Sequence, residues 1–267
     1  MSKRVIYSIE DGVADVRLNR PEKMNALDPA MFEAITATGK ELALNRSLRA
    51  VVLSGEGKAF SAGLDFISFQ AMAGSDRKGL RSELFEAEAD NPANYAQQPA
   101  FVWQVLPVPV IAAVHGVAFG GGLQVALGAD IRLVAPDARL SILEIKWGLV
   151  PDMGGTQLLR SLIKLDVLKE LTFTGRIVSG SEAVELGLAT RVSENPYAEA
   201  MKLAREIASK SPDAIRAGKK LLNASRLVSV AEGLKLEADL QRSVIGQPNQ
   251  VEAVLSNMEK RAPIFKD

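Results

Sequence analysis

The chain has 267 residues, 32 basic against 32 acidic side chains, no cysteine and one histidine. The absence of cysteine excludes a disulfide frame, a thiolate nucleophile and Cys-ligated zinc or iron–sulfur centres, and any Ser-His-Asp arrangement must run through His115. A net charge of zero offers no basic footprint for nucleic acid or a membrane surface, while 47% hydrophobic and 24% charged residues are ordinary for a soluble globular protein.

The opening MSKRVIYSIEDG carries no apolar signal-peptide core, which predicts a cytoplasmic protein. Val5 to Ile9, the Asp11-Gly12 turn and the alternating run Val13 to Leu18 predict a strand pair. After the loop NRPEKMNAL, Asp28 and Pro29 form a helix start leading to about Leu44. Ala50 to Ser54, Pro109 to Val114 and Ile131 to Val134 read as short apolar strands, the second apolar enough to be covered on both faces. Strands alternating with helices predict an α/β core. Phe66 to Gln98 is polar and irregular, a long loop of the functional or mobile kind. From Asn91 to Ala129 there is no Asp, Glu, Lys or Arg, as in a membrane span. Pro107, Pro109, His115, Gly120 to Gly122 and Gln124 interrupt it, so a buried strand, a glycine turn and a buried helix in series explain it better. Residues 196–210, 212–225, 229–245 and 249–260 follow as amphipathic helices.

Three segments carry chemistry. KAFSAGLD (Lys58 to Asp65) and HGVAFGGGLQVALGAD (His115 to Asp130) each follow a strand and leave backbone N–H groups free. Neither fits a nucleotide fingerprint: a P-loop ending at Gly57-Lys58 would need glycine at Val52 and Ser or Thr at Ala59, and the triple glycine has the wrong spacing for a dinucleotide turn. Converging N–H donors would make an oxyanion hole, and tight packing of the glycines is the alternative. The third segment, Arg139 to Arg160, sets Glu144 among Ile142, Leu143 and Ile145, where desolvation raises a carboxyl towards the range useful for proton transfer. A salt bridge from Glu144 to Arg139 or Lys146, and a helix-capping role for Asp152, are the structural alternatives.

In this order, with FTGRIVSGSEAVELGLATRV (Phe173 to Val192) and the helical C-terminus, these motifs resemble the crotonase superfamily, the enoyl-CoA hydratase/isomerase family, over nearly the whole chain. The resemblance implies an α/β fold, a spiral of ββα units with a helical C-terminal region. Residues 1–195 would form the acyl-CoA-binding core, and 196–267 a helical region for assembly as a homotrimer or dimer of trimers. It implies an acyl-CoA thioester substrate, with coenzyme A entering as part of it and no separate cofactor, metal, nucleic acid or membrane partner. Carried over by position, the N–H groups of Ala62 and Gly121 would bind the thioester oxygen. Lys23, Met24, Ala26 and Phe60, Gly63, Leu64 and Asp65 would line the coenzyme A groove, and Gly120, Gln124 and Leu149 the acyl site.

The acid/base residues depart from the family's hydratases, which use two glutamates. Glu144 matches one; the other position holds Gln124, whose amide can orient water but cannot take its proton. Asp152 stands where the family's dienoyl-CoA isomerases carry a catalytic aspartate. The resemblance thus implies double-bond isomerisation of an unsaturated acyl-CoA by Glu144 and Asp152, one ionised and one protonated. A 2-enoyl-CoA hydratase with Glu144 as main acid/base, and a non-catalytic acyl-CoA-binding scaffold, are the alternatives. His115 and Trp103 read as structural, Trp147 as packing near the acyl pocket, and the loop 66–98 as a cover that sets chain-length preference. Phe265 and Lys266 would reach coenzyme A in a neighbouring subunit.

Overall fold

The computed structural model describes residues 3–65, 67, 85–87 and 91–267. In chain order the strands are β1 (Val5–Glu10), β2 (Val13–Leu18), β3 (Ala50–Gly55), β4 (Val110–Val114), β5 (Val117–Phe119), β6 (Ile131–Val134), β7 (Arg139–Ser141), β8 (Val178–Ser179) and β9 (Arg191–Val192). The helices are α1 (Pro29–Ala43), α2 (Gln98–Val105), α3 (Gly121–Leu127), α4 (Gly155–Leu159), α5 (Leu165–Thr174), α6 (Gly180–Glu185), α7 (Pro196–Ala208), α8 (Pro212–Ser225), α9 (Val230–Val244) and α10 (Pro248–Met258). A six-stranded sheet runs β1-β2-β3-β4-β6-β9, antiparallel only at its β1–β2 edge; a three-stranded sheet runs β5-β7-β8.

The β1–β2 hairpin turns at Asp11 (φ 49°) and Gly12 (φ 76°), the two positive φ values that match the right-handed twist of paired strands. β3 and β4 are buried throughout, and their side chains divide by the two-residue period of a strand. Val51, Leu53, Val110, Ala112 and Val114 join the main core with α1 and α3. Ala50, Val52, Ile111 and Ala113 face the other way, onto Ala200 and Ala204 of α7. This two-sided burial is what the unbroken apolar run of β4 implied. The helical region from 196 therefore opens with α7 closing the sheet's second face, and α8 to α10 continue beyond it.

α8 is tied to the core by a buried charge. Lys219 Nζ, on a residue only 8% exposed, donates to Trp103 O (3.1 Å), Val108 O (3.0 Å) and Asp130 Oδ2 (2.7 Å). Burial pushes the Lys219 ammonium down and the Asp130 carboxyl up, and their pairing opposes both shifts.

Most of the loop 66–98 lies outside the described residues, but its C-terminal end differs from the expectation: Gln98 and Pro99 open α2. Proline is tolerated in the first turn of a helix, where its missing N–H would have no acceptor, so a loop signal here marks a helix start. No helix among the described residues is long and apolar enough to cross a membrane.

Candidate active site

The two glycine-rich segments are laced together. Phe60 N–H donates to His115 O (2.9 Å), Ser61 N–H to Val117 O (3.0 Å), and Phe119 N–H returns to Ser61 O (3.1 Å). Gly63 thereby comes to rest on Phe119, and a Cβ there would sit 3.8 Å from Gly121 N. Gly120 follows in a conformation (φ 50°, ψ −121°) open to glycine, and α3 begins at Gly121. As the first residue of a helix Gly121 has no acceptor one turn behind it. Among the described residues, the N–H groups of Gly121 and Leu64 meet no hydrogen-bond acceptor.

Ala62 does not fill its expected role as an oxyanion donor. Its N–H donates to Met24 O at 2.8 Å, which joins the Lys58–Asp65 segment to the Pro21–Lys23 turn. The donor without an acceptor beside the cavity is two residues later, on Leu64. Sequence reading missed it, although the glycine at 63, at φ +88°, is the signal: it turns the chain so that the next N–H leaves the ladder.

Beside these donors is a cavity of about 220 Å³, lined by Ala62, Gly63, Leu64, Gly120, Gly121, Glu144, Leu149 and Asp152 from the expected set. Phe32, Phe85, Ala96, Phe119, Leu143, Trp147 and Met153 complete its walls. Met153 was not anticipated; a Cβ on Gly121 would lie 2.6 Å from its Sδ, so glycine lets the thioether pack against the helix start. A larger groove, about 810 Å³, separates α2 from α8 and α9 and contains neither Glu144 nor Asp152.

Glu144 opens a short 3-10 turn, Glu144–Trp147, and is 8% exposed. Gly120 packs against its carboxyl: a Cβ there would be 3.4 Å from Oε1. Burial raises its pKa, the bonds from its own backbone and from Gln124 pull it back, and the charge of Asp152 adds a further rise. Its Oε2 is screened from solvent and, among the described residues, has no hydrogen-bond partner. No salt bridge to Arg139 or Lys146 forms; those cations lie over the rings of Phe119 and Trp147 at 5.7 and 5.5 Å. Asp152 does not cap α4, whose N-cap is Gly154 without a side-chain bond. It stands open to solvent at the cavity wall, yet the apolar surroundings still raise its carboxyl.

Several other expected residues sit elsewhere. Phe60 is wholly buried and lines no part of the cavity, because its ring packs into the main hydrophobic core. Asp65 is engaged by Arg20 at 2.8 Å, and Arg20 also donates to Ala26 O at 3.1 Å, so this pair braces the turn. Lys23 and Met24 are exposed beside Ala62. Gln124, 3% exposed, lies beneath the cavity, not on its wall. His115 bonds Gly57 O (3.0 Å), Trp103 is fully buried, and Lys266 is held through its backbone by Asn249. No cluster of His, Asp or Glu suited to a metal occurs among the described residues.

The chain is similar to known proteins over nearly its whole length. The Mus musculus mitochondrial Delta(3,5)-Delta(2,4)-dienoyl-CoA isomerase is 34% identical over 270 residues, covering 96% of this chain and 79% of that protein. The mitochondrial methylglutaconyl-CoA hydratase of the same species is 31% identical, over 96% of this chain and 80% of its own. The crystal structure of an enoyl-CoA hydratase from Bacillus anthracis superposes with a TM-score of 0.89 at 31% identity, covering 98% of this chain and 99% of that one. The sequence model described as Enoyl-CoA hydratase/isomerase matches residues 8–267. With fold, motif order and full-length similarity in agreement, the chain belongs to the enoyl-CoA hydratase/isomerase family and is one of its enzymes.

Proposed function

We propose that this enzyme moves double bonds along an unsaturated acyl-CoA, through a thioester enolate whose oxygen is held by the N–H groups of Leu64 and Gly121. The observation that carries the reading is the pairing of two raised carboxyls, Glu144 and Asp152, on the wall of one cavity beside those donors. In a dienoyl substrate one carboxylate takes a proton from carbon. The electron pair moves through the conjugated system onto the thioester oxygen, where preformed donors contribute roughly 3–4 kcal/mol each. The other carboxyl, protonated, returns a proton at the far end, and the electrons leave the oxygen as the double bonds settle in their new places. Glu144, against Gly120, serves the carbon nearer the thioester; Asp152, the more open group, serves the distal one. No oxidant, metal or water is consumed.

The mouse relative named as a dienoyl-CoA isomerase supports this assignment. Relatives and structural neighbours named as hydratases support the second reading, hydration with Glu144 as main acid/base. That reading needs Gln124 to hold water, and its amide oxygen already accepts from two backbone N–H groups. Assembly as a homotrimer or dimer of trimers is proposed on the family likeness, and exposed Leu222, Leu234 and Met258 on the C-terminal helices, with Leu227 in the turn between α8 and α9, support a buried interface there.

The test offers a dienoyl-CoA and a 2-enoyl-CoA side by side. Isomerisation predicts a shifted diene absorbance without 3-hydroxyacyl-CoA, and its loss in D152N. Formation of 3-hydroxyacyl-CoA with D152N still active would establish the hydratase instead, and inertness towards both would leave a binding scaffold.

A further inference from the structure

We propose that Gln124 is a positioning residue that locks Glu144 so that its proton is exchanged only through Oε2. The proposal rests on the reading of Glu144 as acid/base and adds a role for a side chain that does not line the cavity.

The orientation of the Gln124 amide is set by chemistry. Its Oε1 accepts from Met153 N–H and Gly155 N–H, both at 2.9 Å. A flipped amide would aim its NH2 group at two donors, so the nitrogen must face the other way. There Nε2 donates to Glu144 Oε1 at 2.6 Å. Gly155 permits this arrangement, since a Cβ on it would lie 2.7 Å from Gln124 Oε1. One buried amide thus joins α3, the turn carrying Glu144 and the turn carrying Asp152.

A fixed donor at Oε1 makes that oxygen an acceptor whether Glu144 is ionised or neutral. The exchangeable proton is left to Oε2, the oxygen without a partner. Gln124 also favours the ionised form of Glu144, against burial and the charge of Asp152, the one charged group among the described residues acting on it. Without the lock the carboxyl would rotate and divide its proton between its two oxygens.

Two variants separate the role from simple bracing. Q124E retains an acceptor for Met153 and Gly155 but sets an oxygen, not a donor, against Glu144; Q124M removes both functions. The readouts are proton exchange of a dienoyl-CoA in heavy water, and the Glu144 carboxyl titration by infrared difference against E144Q. The expected result for both variants is a fall in kcat of about tenfold to a hundredfold, as for a misplaced catalytic group. KM should stay within about twofold, and the Glu144 titration should move to higher pH. A titration left in place, or kcat unchanged in folded Q124E or Q124M, overturns the proposal while the acid/base reading stands. Exchange at the wild-type rate in E144Q would overturn that reading and this proposal with it.

Discussion

A Cβ on Gly63 would lie 2.4 Å from the carbonyl oxygen of Phe119, and Gly63 itself stands at φ +88°. Both facts require glycine where the two turns cross. Gly63→Ala should cost about 1–3 kcal/mol of stability through backbone strain, measurable by urea denaturation. It should also lower kcat about 10²–10³-fold, the loss expected when one oxyanion donor leaves its place, because Leu64 N–H is the next group along the chain.

Glu144→Gln should remove proton exchange at the carbon nearer the thioester while leaving acyl-CoA binding intact, a loss of about 10²–10⁴-fold in kcat for a general acid–base group. Isothermal titration with an unreactive acyl-CoA checks the second half of that statement. Retained exchange would contradict the role.

The same substitution should alter stability in a pH-dependent way. The carboxyl of Glu144 is raised in the folded chain above its ordinary value. Between the unfolded and folded values the native state binds more protons, so stability falls as pH rises through that window and stays lower above it. E144Q has no such loss. Its Tm should exceed that of the wild type at neutral pH, and the gap should narrow below the ordinary carboxylate range. Asp152 shifts in the same direction but is present in both proteins, so the difference isolates Glu144.

Lys219→Met should be strongly destabilising, by about 3–5 kcal/mol, since it strands a partly buried Asp130 carboxylate. It also removes the donor to Trp103 O and Val108 O that fastens α8. The double variant K219M/D130N should recover part of the loss. Equal stability of the single variant and the wild type in urea denaturation would mean that α8 is held by other contacts.

Much of this molecule is written in local chemistry. The Asp28 cap is confirmed by its bond from Met31 N–H at 2.9 Å, and Ser229 and Glu232 satisfy each other's backbone donors at the start of α9. The division of β3 and β4 between two cores follows from apolar residues at successive positions. Strands such as β8 and β9, two residues each, exist only because distant partners pair with them, and no periodicity can announce them. The site was legible in its carboxylates and glycines and illegible in its hydrogen bonds. That Ala62 spends its N–H on Met24, leaving Leu64 free, depends on a contact across 38 positions of chain, counted from 24 to 62. Gln124 was readable as a departure from a two-glutamate pattern; that its amide is occupied by Met153, Gly155 and Glu144 depends on three elements meeting.

Glu144 and Asp152 are proposed to act as a pair, one at each end of a conjugated acyl chain. The most direct measurement is the position of deuterium in a dienoyl-CoA after incubation in heavy water with wild type, E144Q and D152N. The wild type should place label at both ends of the shifted system. E144Q should lose exchange at the carbon nearer the thioester, and D152N at the distal carbon. Distal exchange undiminished in D152N would contradict that pairing.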